Sequence, residues 1–119
     1  EYLPHNYTDT NTVLYAGTHD NDTIVGYYRN RTEYELAYMY SYLNIDSKEE
    51  ISDALVRAAY ASIADVVILQ MQDVLQLGSE ARMNQPSTIG VNWKWRFSDK
   101  LLPEERRNWI RTQTALYRR

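Results

Sequence analysis

Residues 65–71 read Asp-Val-Val-Ile-Leu-Gln-Met. The run is continuous, apolar, of strand length and rich in β-branched residues, so it predicts a parallel strand covered on both faces. Residues 13–17 (VLYAG) carry a shorter form of the same signature between the polar segments 8–12 and 18–23 (THDNDT). That reads as a buried strand ending in a polar loop. Between the two runs the period becomes helical. Ile24, Val25, Tyr27 and Tyr28 fit a short helical stretch ended by residues 29–31. Thr32 and Glu35 form a Thr-x-x-Glu capping box before a helix over 33–44, with Leu36, Ala37, Tyr40 and Leu43 at helical spacing. Ser47 and Glu50 repeat the pattern before a helix over 48–61, striped by Ile51, Ala54, Leu55, Ala58 and Ser62. After the second strand, 72–77 has the length of one helical turn, and 79–96 is a long polar loop carrying Pro86 and Gly90. Pro103, Glu104 and Glu105 suit a helix start, with Trp109, Ile110, Gln113 and Leu116 on one face up to about Tyr117.

The order strand, helices, strand, loop, helix is a βαβα arrangement, which predicts an α/β fold with parallel strands and a right-handed crossover. Two strands do not make a stable sheet, and the only further candidate is residues 2–7. The chain therefore reads as part of a sheet. Its 119 residues have room for one ordinary domain, yet it opens on Glu1 rather than methionine, and we expect a portion of something longer.

Composition excludes several classes of function. Thirteen Lys and Arg against sixteen Asp and Glu leave a net charge of −3, which gives no strong positive field to hold a phosphate backbone, so nucleic acid is not an expected partner. The absence of cysteine removes disulfides, Cys-ligated zinc, iron–sulfur clusters and thiol catalysis, and points to the cytoplasm. The longest apolar runs are far short of the roughly 20 residues of a membrane span, so no membrane association is expected.

The cluster His19, Asp20, Asn21, Asp22 follows a strand directly, where parallel α/β folds place ligand and catalytic groups. One reading is structural: Thr18 or Asp20 caps the next helix and the rest is solvated loop. A calcium loop would need Asp-x-Asp-x-Asp-Gly, and Ile24 and Val25 break that pattern. A His–Asp metal site has only His5 as a further histidine, which leaves few ligands.

Three segments in order carry a more specific signal: residues 15–23 (YAGTHDNDT), 72–84 (QDVLQLGSEARMN) with Pro86, and 92–96 (NWKWR). Together they resemble the C-terminal end of the amylomaltases, the 4-alpha-glucanotransferases of glycoside hydrolase family 77. The resemblance implies about the last two β/α units of a (β/α)8 TIM barrel, mostly helical with two core parallel strands, and residues 1–119 as a single region of that catalytic barrel. It implies transfer of α-1,4-glucan segments between maltodextrins with retention at the anomeric carbon. It makes Asp20 the carboxylate that stabilises the transition state, with His19 beside it holding sugar hydroxyls. Asn84 is expected to hydrogen-bond the sugar, since its amide both donates and accepts. The family's nucleophile and acid/base lie on earlier strands, in Arg-x-Asp-His and Ala-Glu-Asp-Leu-like segments that this chain lacks. The isolated chain is therefore expected to be catalytically silent. No metal and no cofactor is expected, because two carboxylates and an acceptor hydroxyl suffice for this chemistry.

Other residues have more ordinary readings. Glu80 and Arg82 are expected to pair or brace the loop, and Tyr34, Tyr38 and Tyr42 to pack; Trp93, Trp95 and Trp109 have faces that suit sugar stacking, but Trp93 and Trp95 beside Phe97 equally suit anchoring the loop into the core. Two further functions compete with the enzyme: a stand-alone helical interaction module using the tyrosine-rich face, and a metal phosphohydrolase built on His19 and Asp20. The long polar loop 79–96 separates the enzyme from the module, because a barrel's active-site face needs such a loop and a module does not. Exposed strand edges at 13–15 and 66–69 would also let the chain self-associate.

Overall fold

The computed structural model describes residues 3–119. Its elements are β1 (Val13–Tyr15), α1 (Ile24–Arg29), α2 (Glu33–Leu43), α3 (Ile51–Tyr60), β2 (Val66–Ile68), α4 (Met71–Val74) and α5 (Glu104–Tyr117). Short 3-10 turns at Pro4–Asn6, Lys48–Glu50, Ser79–Ala81 and Asp99–Leu101 join them. The two strands pair in parallel, with Val13 opposite Val66, Leu14 opposite Val67 and Tyr15 opposite Ile68.

The helices build one core around Ile24, Val25, Tyr28, Leu36, Ile45, Ile51 and Ala54. The strands join the helical layer through Leu14, which is buried with Ala59 and Ala64 against Tyr7, Val67 and Leu69. Alternation along a strand puts Val13 and Tyr15 on the other face, with Val66 and Ile68 beside them. These four are 43–51% exposed. The expectation of strands covered on both faces is thus met on the helix side only; the other face stays about half exposed among the described residues. Residues 4–6 of the proposed third strand form a 3-10 turn, Tyr2 lies outside the described residues, and the sheet has two strands among the described residues.

Local signals explain most helix ends. At Thr32 the capping box forms in full: its hydroxyl accepts from Glu35 N, and the Glu35 carboxylate accepts from Thr32 N. These bonds, led by the Thr32 backbone, hold the Glu35 carboxyl below its usual range. At Ser47 the expected box does not form. The Ser47 hydroxyl donates to the Glu50 carboxylate instead, and a 3-10 turn over Lys48–Glu50 precedes α3. Buried positions on α3 are Ile51, Ser52, Ala54, Val56 and Ala59, so Leu55, Ala58 and Ser62 of the expected stripe are not the deepest. Neighbours on several sides, α1, α2, α4 and α5, bury more than one stripe.

Helix α5 docks through Arg106 together with Trp109, Ile110 and Gln113 of the expected stripe, which are partly buried, while Leu116 is exposed. The Arg106 guanidinium grips Asp53 with both terminal nitrogens (2.8 and 3.0 Å), donates to the Val74 carbonyl from Nε (2.9 Å) and covers the Trp109 ring. Such a fork-to-carboxylate pair is largely withdrawn from solvent and fixes orientation. Tyr34 and Tyr38, expected to pack, are exposed; only Tyr42 is half-buried, with Tyr38 stacked beside it.

Candidate active-site face

Both parallel strands end on the same side, and the polar loops that follow them meet there. β1 leads through Gly17 into residues 18–23. Within that loop Asn21 Oδ1 accepts from Thr18 N (2.8 Å) and the Thr18 hydroxyl (3.0 Å), closing a tight turn that carries His19 and Asp20. The cap of α1 is Thr23, not Thr18 or Asp20: its hydroxyl accepts from Gly26 N at 3.0 Å. Thr18 and Asp20 are thereby released from the structural duty that the capping reading assigned them.

The second loop comes from β2 by way of α4. Asp73 on α4 is fully buried and reaches across to accept from Ile24 N, the first turn of α1, at 2.8 Å. Burial pushes its carboxyl above the ordinary carboxylate range, the nearby Asp22 charge adds to this, and the Ile24 bond opposes it. Asp22 accepts from Thr23 N and from the Ser79 hydroxyl, both at 2.8 Å. Gly26 makes this approach possible, since a Cβ there would run into Ser79 Oγ and Asp22 Oδ1.

Three contacts tie the second loop to the His19–Asp20 turn. Asn84 N donates to the His19 carbonyl (3.1 Å), Arg82 Nη2 to the Asp20 carbonyl (2.7 Å), and Asn84 Nδ2 to Asp20 Oδ1 (2.6 Å). Arg82 also donates from Nε to the Asn84 carbonyl (2.8 Å), so one planar guanidinium spans both loops. Glu80 is not its partner; that carboxylate accepts from Gly78 N. Each residue braces the loops on its own account.

His19, Asp20 and Asn84 thus lie in one constellation. His19 Nε2 is 3.4 Å from Asp20 Oδ1, both side chains about half exposed. Asp20 Oδ2 has no side-chain or backbone partner among the described residues, which leaves one carboxylate oxygen for a ligand. Beside the turn lies a cleft of about 460 Å³ lined by Tyr15, Gly17, Thr18, His19, Gln70 and Trp93, among others. Its presence at the ends of the parallel strands is where α/β folds place ligands. His5, the other histidine, is bonded to Tyr42 instead. Among the described residues no group of three His, Asp or Glu side chains is arranged to hold a metal ion.

An open cleft with the His19 imidazole in its lining, beside a turn carrying the Asp20 carboxylate and held by the Asn84 amide, marks an α/β protein with a candidate site at the ends of its parallel strands. The profile of glycoside hydrolase family 77, 4-alpha-glucanotransferase, matches residues 1–102, and the chain belongs to that family. It is 41% identical over 109 residues to a 4-alpha-glucanotransferase of Synechocystis sp., covering 92% of this chain and 21% of that protein. It is 41% identical over 121 residues to the enzyme of the same name from Clostridium butyricum, covering 99% of this chain and 24% of that one. Among solved structures, amylomaltase from Streptococcus agalactiae in complex with acarbose superposes with a TM-score of 0.88 at 40% identity, over 98% of this chain and 23% of that one. The chain spans about a fifth to a quarter of the length of these relatives. A similar protein from Arabidopsis thaliana is chloroplastic/amyloplastic, so membership of the family does not by itself carry the expected cytoplasmic address. No helix among the described residues is long and apolar enough to cross a membrane.

Two features of the site were not legible in the sequence. Arg82 braces the loop, one of the two roles expected of it, but its bridge to Asp20 joins residues 62 positions apart, and no spacing announces it. The sequence leaves Trp93 between a stacking face and a core anchor; it is about half exposed and its ring packs on His19, with centroids 4.9 Å apart. The pattern Asn-Trp-Lys-Trp-Arg marked the segment without saying which indole turns to the cleft.

Proposed function

We propose that this chain forms the last portion of the (β/α)8 catalytic barrel of a 4-alpha-glucanotransferase acting on maltodextrins. The observation that carries the reading is the Asp20 carboxylate, held at Oδ1 by Asn84 (2.6 Å) and leaving Oδ2 toward solvent, at the mouth of two parallel strands in a member of family 77.

In a retaining glycoside transfer a nucleophilic carboxylate attacks the anomeric carbon while an acid protonates the leaving oxygen; an acceptor hydroxyl then displaces the enzyme, giving up its proton to the same group. Positive charge grows on the sugar ring in both steps. Those two carboxyl groups sit roughly 5 to 5.5 Å apart and come, in this reading, from strands outside this chain. Asp20 supplies a fixed negative charge and a hydroxyl acceptor that gains most when the ring carries charge, and His19 supplies a second polar contact. Arg82 acts on the backbone of Asp20 and Asn84, so it positions the site and leaves the carboxylate unneutralised. Asn84 keeps its Oδ1 for a sugar hydroxyl while its NH2 group orients Asp20.

The first test uses the chain alone. Incubated with maltotriose and followed by product chromatography, the pure protein is expected to release no glucose and form no longer maltodextrins. Turnover above a no-enzyme control would contradict the assignment of the nucleophile and acid/base to other strands.

A further inference from the structure

The backbone at Trp93 is left-handed, with φ 62°, a conformation that bulky side chains rarely adopt. Strain of this kind persists where the surroundings over-determine it, and it concentrates at functional sites. The surroundings here are explicit. Trp93 N donates to the Met83 carbonyl (2.7 Å), and Arg96 Nη1 donates to the carbonyls of Trp93 and Trp95 (2.8 Å each). Asn92, immediately before it, closes the loop by accepting from Gln85 N (2.9 Å) and donating to the Thr88 carbonyl (3.1 Å). These five contacts hold the segment in place while the Trp93 indole stays half exposed.

That indole does not enter the core. It stands against His19 on the rim of the cleft. A glucose ring offers the exposed indole an apolar face of C–H bonds.

We propose that Trp93 is a substrate-contacting residue: its indole forms the wall on which a glucose ring packs next to His19 and Asp20. The left-handed turn is what aims the indole at the cleft instead of the core. This rests on the glucan reading above.

The test is titration of the 119-residue chain with acarbose, followed by ¹H–¹⁵N NMR of backbone amides and indole N–H groups. Shifts at Asp20, Asn84 and the Trp93 indole, with the Trp95 and Trp109 indoles unmoved, are the expected result. Trp93→Gly then separates wall from scaffold, because glycine accepts the positive φ without strain. It should weaken acarbose about tenfold while the thermal midpoint stays within about 4 °C of wild type, and Trp93→Phe should bind within about threefold. Shifts at Asp20 and Asn84 without the Trp93 indole, or undiminished binding by Trp93→Gly, would overturn the role of Trp93 and leave the glucan reading standing. No shift at any residue overturns both.

Discussion

The two faces of the β1–β2 pair differ sharply. Toward the helices, Leu14 is buried and continuous with a layer in which Leu36, Ile51 and Val56 have no exposed surface. On the other face Val13, Tyr15, Val66 and Ile68 stand open, and Tyr15 and Ile68 line the cleft with His19 and Trp93. A β-branched strand with one naked face is finished on one side only. Stability and the candidate site are thus divided in this chain: the helix side folds it, while the open side carries the cleft and, in the function proposed above, would face the interior of a barrel completed by other strands.

The largest expected effect breaks the helix side. Ile51→Ala should cost about 2–5 kcal/mol in urea denaturation, whereas Ile68→Ala on the open face should cost less than about 1 kcal/mol. Equal losses would erase the distinction. Next comes the junction between helix layer and site: Thr23→Ala removes the buried cap of α1 and should cost about 1–2 kcal/mol, read by the same unfolding curves.

Asp73 sharpens the comparison through pH. Its carboxyl titrates higher folded than unfolded, so the folded state binds the extra proton and this residue's contribution falls as pH rises through the folded value. Asp73→Asn should therefore gain stability relative to wild type as pH goes from about 4 to about 7, measured as the difference in thermal midpoint. A constant difference would show that Asp73 stays charged throughout. The smallest effect on stability comes from Ile68→Lys, which leaves the fold intact but places a charge on the open face. Light scattering at high concentration should show self-association of the wild type that the variant weakens; a monomeric wild type would contradict the expected pairing of the strand edges at 13–15 and 66–69.

How much of this was legible depended on the range of the interaction. Thr32 and Glu35 are three residues apart, so their box could be read directly, and the two strands and their loops announced themselves by period and composition. The box at Ser47 had the same spelling and failed, because a 3-10 turn took its place. His19, Asp20 and Asn84 were legible through family resemblance, and the structure brings them together. The bonds that bring them together were not, since Asp73 to Ile24, Arg82 to Asp20 and Arg106 to Asp53 join residues 49 to 62 positions apart. The open face was hidden for a related reason: an apolar run reads as buried whether or not the chain itself supplies the cover.

The central claim is that Asp20 belongs to a glucan-transferring site completed by strands from outside these 119 residues. Its most direct test is a chimera in which this chain replaces the matching C-terminal segment of the Clostridium butyricum 4-alpha-glucanotransferase, assayed for transfer from maltotriose alongside its Asp20→Asn form. The account predicts a chimera that turns over and a variant that folds, binds acarbose and loses about a thousandfold or more in kcat. An Asp20→Asn chimera as active as its parent would contradict it.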